Sequence, residues 1–432
     1  MKPVHPTFRE ALGFWLKLGF ISFGGPAGQI AIMQAELVER RRWIGQERFL
    51  HALNYCMLLP GPEAQQLATY CGWLLHRTWG GIAAGVLFVL PSAILLWGLS
   101  YAYVSYGHLP AVASVLDGLQ PAILAVILVA VLRIGRHALR RPIHGAIAAA
   151  AFLLLVGGAV PFPAIVIGTV ALGALGGRFL PRVFAARRAH SEASGTSFVL
   201  DDAAPGRPSA PGWGRSLRVV ALGLALWWTP IVVAGVSLGW TSPLAEAGLF
   251  FSKAAMVTFG GAYAVLPYVG QQAVDVYGWL YADQMLDGLA FAETTPGPLI
   301  MVLQFVGFMG GWNQPGDFQP LVAATLMAGM TTWVTFAPCF LWIFLGAPFV
   351  ERLRGHALLD AALASVTAAV VGVILNLALW FGRPVLWPDS AGLNLFAAAT
   401  GIAAFIALAR FRVGTVWVVF ASGAWGLIAG HW

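Results

Sequence analysis

Ser22-Phe23-Gly24-Gly25-Pro26 and Leu59-Pro60-Gly61-Pro62-Glu63 each have a counterpart later in the chain. These are Thr258-Phe259-Gly260-Gly261-Ala262 and Thr295-Pro296-Gly297-Pro298-Leu299. One offset separates both pairs, from 23 to 259 and from 60 to 296, without a gap. Lys17 and Lys253 keep that offset, as do Trp43 and Trp279. The chain therefore reads as two copies of one unit. Each copy sets helix-interrupting Gly and Pro inside apolar segments, and duplicated halves with interrupted membrane helices point to the substrate site of a secondary transporter.

Composition sets the class. Of 432 residues, 59% are hydrophobic and 10% charged, where a soluble domain carries about 25% charged residues. Many apolar runs reach the roughly 18 residues that cross a bilayer as a helix, and no strand-like alternation suggests a barrel. The expected fold is an all-α polytopic membrane protein. The formal net charge of +7 lies in short loops beside apolar runs, as membrane orientation requires. It forms no aromatic-interleaved basic stripe, so nucleic acid is not an expected partner. Cys56, Cys71 and Cys339 fall in apolar segments without metal spacing and read as packing residues. The nine histidines are scattered. No metal-binding, cofactor or hydrolase motif is present, so no cofactor and no catalytic residue are expected. No signal-peptide cleavage pattern is expected at the start, because the first apolar segment belongs to the repeat.

The first copy, 1–182, is read as apolar segments near 8–35, 49–76, 79–106, 112–132, 143–158 and 162–180. A polar stretch at 183–216, with Arg187-Arg188 and Asp201-Asp202, reads as a flexible cytoplasmic linker. A connecting transmembrane helix at 217–239 follows. The second copy, 240–432, repeats the plan near 244–271, 285–312, 319–347, 357–381, 391–409 and 413–431.

Positive charge sets the expected topology. Arg40, Arg41, Arg42 and Arg48 lie between the first two segments, and Arg77 after the second. If either segment crossed fully, one set would face outward, against the positive-inside bias. Two hairpins that dip in and return keep all of them inside, with their turns at the Gly-Gly-Pro and Pro-Gly-Pro breaks. Arg133, Arg136, Arg140 and Arg141 then sit in an inner loop. The second-half hairpins open outward, with Asp275, Asp283 and Asp287 in their loops, and only Arg383 lands outside. The expected architecture is two inverted-topology repeats with re-entrant hairpins. Full crossings, about 13 spans, also invert the halves but put Arg40, Arg41, Arg42 and Arg48 on the wrong side.

Candidate site residues come from the matched positions. Lys17 and Lys253 are the intramembrane lysines, each six residues before a Phe-Gly-Gly. An ammonium at the bilayer centre costs about 2.5–3.5 kcal/mol, so two at matching positions suggest an anionic guest. Snorkelling, or pairing with Glu63 or Glu293, would also account for them. At the breaks Ser22, Phe23, Gly24, Gly25 and Pro26, and Thr258, Phe259, Gly260 and Gly261, a second helix fragment begins. Its free N–H groups and dipole attract anions, glycine permits close approach, and Ser22 and Thr258 add hydroxyl donors. Kinking or close helix packing is the structural alternative. Pro60, Gly61, Pro62, Pro296, Gly297 and Pro298 are expected at hairpin tips, with substrate contact less strongly indicated. Glu63 and Glu293 are not matched positions. Each could carry a proton in the membrane or serve as a counter-ion. Gln65, Gln66, Gln304, Asn54 and Asn376 could bond a substrate or a neighbouring helix.

These residues together resemble the chromate transporter family in its long, two-domain form. The first-half likeness runs through Phe23-Gly24-Gly25-Pro26, Glu39-Arg40-Arg41-Arg42-Trp43, Leu58 to Gln66 and Leu90-Pro91-Ser92. The second runs through Lys253-Ala254-Ala255, Val257 to Pro267 and Ala292 to Ile300. The resemblance implies export of chromate, a sulfate-like oxyanion, from the bacterial cytoplasm across the inner membrane. It implies drive by membrane potential or proton gradient, and chromate resistance as the phenotype. The lipid bilayer is the expected surrounding and a homodimer an expected assembly. Pro26 is matched by Ala262 and Glu63 by Leu299, so the site is expected to be asymmetric. Alternating access around a midplane dianion unites the two readings. Sulfate or another oxyanion, a passive anion channel, and an intramembrane enzyme acting on lipid phosphate are the alternatives.

Overall fold

The computed structural model describes residues 5–23, 25–158, 160–184, 199, 213–348, 357–388 and 392–429. Every regular element among them is helical. In the first half α1 (Phe8–Ile21) and α2 (Gly25–Gln34) flank one break, and α3 (Gln46–Leu58) and α4 (Glu63–Tyr106) flank another. Then come α5 (Pro110–Ala138), α6 (Pro142–Val156), α7 (Phe162–Phe179) and the short α8 (Pro181–Phe184). Next is α9 (Trp213–Leu238), where the connecting helix was expected. The second half contains α10 (Pro243–Met256), α11 (Ala262–Gln271), α12 (Ala282–Thr294), α13 (Val302–Asn313), α14 (Pro320–Gly346), α15 (Ala357–Leu386), α16 (Leu395–Ala409) and α17 (Thr415–Ala429). Most of the 183–216 linker lies outside the described residues.

Local sequence explains where these helices start. Thr7 accepts from the Glu10 amide, and the Glu10 carboxylate accepts from the Thr7 amide at 2.7 Å, a capping box on α1. Pro110, Pro142, Pro243 and Pro320 occupy first turns, where no N–H is required. The Asn394 side chain caps α16 through the Ala397 amide at 3.0 Å.

Among the described residues, six helices are long and apolar enough to cross a membrane, and the protein is a multi-pass membrane protein. The 44 residues of α4 are not one span. At His76 and Arg77 the backbone leaves helical geometry, with φ +55° at Arg77, and two arms fold against each other. A Cβ on Gly72 would stand 2.3 Å from the Gly80 carbonyl oxygen, and one on Gly80 would stand 2.3 Å from that of Gly72. Only glycine on both arms allows this approach. Separate helices α13 and α14 make the equivalent pair, with Gly311 against the Ala323 carbonyl. Each broken segment is thus built of pieces of 13 to 16 residues, counting the π-helical ends of α2 and α11, about 20–24 Å long. Such pieces are shorter than the roughly 30 Å hydrocarbon core.

The halves agree in detail beyond the quoted motifs. α2 and α11 both pass into π-helical turns, Ala35–Arg40 and Gln272–Val276. The Trp43 amide then donates to the Leu37 carbonyl and the Trp279 amide to that of Ala273, both at 2.8 Å. Phe14 meets Trp43 edge-on at 5.5 Å, and Phe250 meets Trp279 at 5.6 Å. These aromatic pairs pin each first helix to the segment after its break.

Two sequence expectations change. Asp287 is not a loop residue: it is buried within α12, and its carboxylate accepts from the Tyr103 hydroxyl at 2.9 Å and Gln120 Nε2 at 3.2 Å. Those two donors replace the water that a loop position would supply. Arg133 and Arg136 belong to the last turns of α5 rather than to a loop, where cations complement the carboxyl end of the helix dipole.

Candidate substrate site at the seam of the halves

The breaks meet across the halves. The Gly61 amide donates to the Thr258 carbonyl, and the Gly297 amide donates to the Ser22 carbonyl, each at 2.8 Å. These bonds exchange under the repeat offset, so each Pro-Gly-Pro tip is held by the other half's first break. Gly61 and Gly297 have φ of +118° and +115°, a region that side chains with a Cβ disfavour. The flanking prolines supply no N–H, which leaves the glycine amide as the donor at each tip. A Cβ on Gly61 would stand 2.7 Å from Cys339 Sγ, and one on Gly297 2.5 Å from Ser92 Cβ. Ser92 and Cys339 follow the prolines inside α4 and α14, Pro91 and Pro338. Each tip thus also packs against a helix beyond the break.

Four helix starts face this seam. α2 begins at Gly25 (φ +69°), and α11 is capped by Gly261 (φ +98°). α4 begins at Glu63, and a 3₁₀ turn at Leu299–Met301 leads into α13. First-turn N–H groups have no partner within their own helix and carry the positive end of the dipole. The arrangement concentrates partial positive charge without using a cationic side chain, which is chemistry suited to an anion.

The side chains do not share the symmetry of the backbone. Glu63, buried in the first turn of α4, points across the seam to Gly261, where a Cβ would lie 3.9 Å from Oε2. Glu293, buried on α12, accepts from the Tyr263 hydroxyl in the first turn of α11. Both carboxylates thus gather at one helix start. At the matching start, α2, the buried polar group is Gln29, whose Nε2 donates to the Gly297 carbonyl and at 3.4 Å to that of Ser22. Gln66 Nε2 donates to the Pro60 carbonyl at 2.8 Å.

The remaining candidates distribute as follows. Ser22 and Thr258 are buried at the seam, but their hydroxyls donate at 2.6 Å to Leu18 and Ala254, one turn back. Each helix end therefore keeps those hydroxyl protons for its own carbonyls. Pro62, Pro296 and Pro298 are buried, while Pro26 and Pro60 are half-buried. Phe23 is exposed, Phe259 and Gly260 are half-buried, and Gly24 lies outside the described residues. Lys17 and Lys253 stand on the exposed faces of α1 and α10, opposite Trp15, Gly19, Phe251 and Ala255. Neither forms an ion pair with Glu63 or Glu293 among the described residues. Gln65 and Gln304 bond within the protein, to Thr69 and the Ala93 carbonyl.

Sequence reasoning gave no site role to Tyr263, Gln29, Ser92 or Cys339: it read Cys339 as a packing residue and named Tyr263 and Ser92 only within the family likeness. Tyr263 and Gln29 carry a faint signal, being polar residues one turn or less beyond a helix break. The other two carry none, because they approach the tips only through folding.

Comparison with known proteins identifies the family. A profile of the family described as chromate transporter matches residues 9–176 and 245–427, one segment in each half. A chromate transport protein of Pseudomonas aeruginosa is 31% identical over 434 residues, covering 98% of this chain and 93% of that protein. One from Cupriavidus metallidurans is 29% identical, covering 85% and 81%. A probable chromate transport protein of Synechococcus elongatus is 28% identical, covering 89% and 87%. No solved structure matches significantly. The chain belongs to the chromate transporter family.

Proposed function

We propose that this protein is a secondary transporter that exports chromate, or an oxyanion of its shape and charge such as sulfate, from the bacterial cytoplasm by alternating access. The observation that carries the reading is the reciprocal pair of bonds, Gly61 to Thr258 and Gly297 to Ser22. Two like units that meet tip to tip can rock about that seam, and the seam is lined with helix starts suited to an anion. In this reading the units at 1–182 and 240–432 are inverted, with α9 as the extra crossing between them. The short pieces around each break are re-entrant, and the N-terminus and linker face the cytoplasm. The Phe-Gly-Gly and Pro-Gly-Pro backbones form the cradle. Lys17 and Lys253, on exposed faces, draw anions toward it from water-filled vestibules.

Energetics permit export on membrane potential alone. Moving two negative charges outward through 100 mV releases about 4.6 kcal/mol, enough for a gradient of roughly a thousandfold. Glu63 and Glu293 are the groups through which a proton could be coupled. The match to transporters in both halves favours a carrier over a lipid-phosphate enzyme.

Chromate uptake into inside-out vesicles, with and without excess sulfate, tests the proposal. Saturable, potential-driven uptake that sulfate inhibits is expected. Correctly inserted protein that accumulates no chromate would refute chromate as substrate. Currents without saturation would replace the carrier with a channel.

A further inference from the structure

The amino end of α11 already faces an anion, the carboxylate of Glu63. Gly261 caps this helix, and where a Cβ would stand only the two Glu63 carboxylate oxygens come within 4 Å, at 3.9 and 4.0 Å. Glu63 comes from the other half, is buried, and its Oε2 has no hydrogen-bond partner. It forms no ion pair among the described residues. A carboxylate so placed satisfies the positive end of α11 as a substrate oxyanion would. The matching start, α2, has no such group, because Leu299 stands where symmetry would put Glu63.

We propose that Glu63 is a tethered competitor of the substrate: the oxyanion reaches the α11 helix start only when Glu63 carries a proton, so one proton binds with each anion. This inference rests on the oxyanion-carrier reading above. Two negative groups cannot share one dry helix start without a proton between them. Protonation and anion binding must then promote each other equally. A proton that travels with the dianion lowers the net charge moved per cycle from two to one.

The surroundings leave this assignment to Glu63. Glu63 acts electrostatically on the thiols of Cys56 from α3 and Cys339 from α14, which are therefore its titratable neighbours. Glu293 of α12 and Tyr263 of α11 are bonded to each other. Asp287, also on α12, is bonded to Tyr103 and Gln120, and Asp283 is exposed. Lys17 lies on the exposed face of α1, and α2, the 3₁₀ turn and α13 contain no ionisable side chain.

The test is sulfate binding to the purified full-length protein between about pH 5.5 and about pH 8.5, because sulfate remains a dianion there. Wild type should bind more tightly on acidification, by up to about tenfold per pH unit. Glu63→Gln should bind with the acid-form affinity throughout. In weakly buffered solution, wild type should take up about one proton per sulfate bound, a measurement that needs no variant to fold. Binding with no pH slope and no proton uptake would overturn the proposal and leave the carrier reading standing. So would a slope that survives in Glu63→Gln. Wild type that binds neither sulfate nor chromate at any pH would overturn both.

Discussion

Replacing Gly61 by alanine probes the seam most directly. At φ +118° the new Cβ costs about 1–2 kcal/mol of backbone strain. It would also lie 2.7 Å from Cys339 Sγ and 2.9 Å from Gln66 Nε2, an overpacking that costs about 1–3 kcal/mol. If the tip withdraws to relieve the clash, the buried 2.8 Å bond to Thr258 is lost, at about 1–3 kcal/mol. Strain and either remedy together amount to about 2–5 kcal/mol, concentrated where the halves meet. The assay is chromate uptake into vesicles beside thermal unfolding of the purified protein followed by tryptophan fluorescence. Both should fall, and Gly297→Ala should behave alike, since it has the same φ and meets Ser92. Adding Cys339→Ala to Gly61→Ala should recover the part of the clash due to Sγ and leave the Gln66 contact and the backbone strain. Wild-type stability and uptake in Gly61→Ala would refute the reasoning, because the positive φ and the cross-half bond would then be dispensable.

Three further outcomes follow from the structure. Lys17→Ala combined with Lys253→Ala should lower the apparent affinity for chromate and weaken its dependence on salt, while stability changes by about 0.5 kcal/mol or less. Both lysines are exposed, so unchanged kinetics would remove them from the transport path. Tyr263→Phe strips the hydroxyl from buried Glu293 and should destabilise the protein by about 1–3 kcal/mol. Stability equal to wild type would show that Glu293 finds another donor. Tyr103→Phe and Asp287→Asn should be non-additive by about 0.5–3 kcal/mol in a double-mutant cycle, since they share a 2.9 Å bond. Additive effects would dissolve that link between α4 and α12.

The helical segments were legible because bilayer solvent makes apolar run length a direct readout. The reading near 244–271, for example, resolves into α10 and α11 with the break at Thr258 to Gly261. The breaks were legible because Gly and Pro act on their own backbone. Asp287 was not, because a carboxylate near the start of a helix looks the same whether water or Tyr103 solvates it. The fate of the Ser22 and Thr258 hydroxyls was equally hidden: a donor at a break can serve a guest or the carbonyl one turn back, and geometry alone chooses.

The sequence by itself determined that this is a helical membrane protein built of two matched units, and it located the four interruptions. Those properties come from local chemistry: apolar length, missing N–H groups and the conformational range of glycine. Only the tertiary structure decided that each Pro-Gly-Pro tip is bonded by the other half, and that Glu63 and Glu293 gather at α11 and leave α2 free of acid. The contacts across the halves join residues about two hundred or more positions apart, and the Tyr263–Glu293 bond joins two separate helices of one half; no local propensity encodes such pairings.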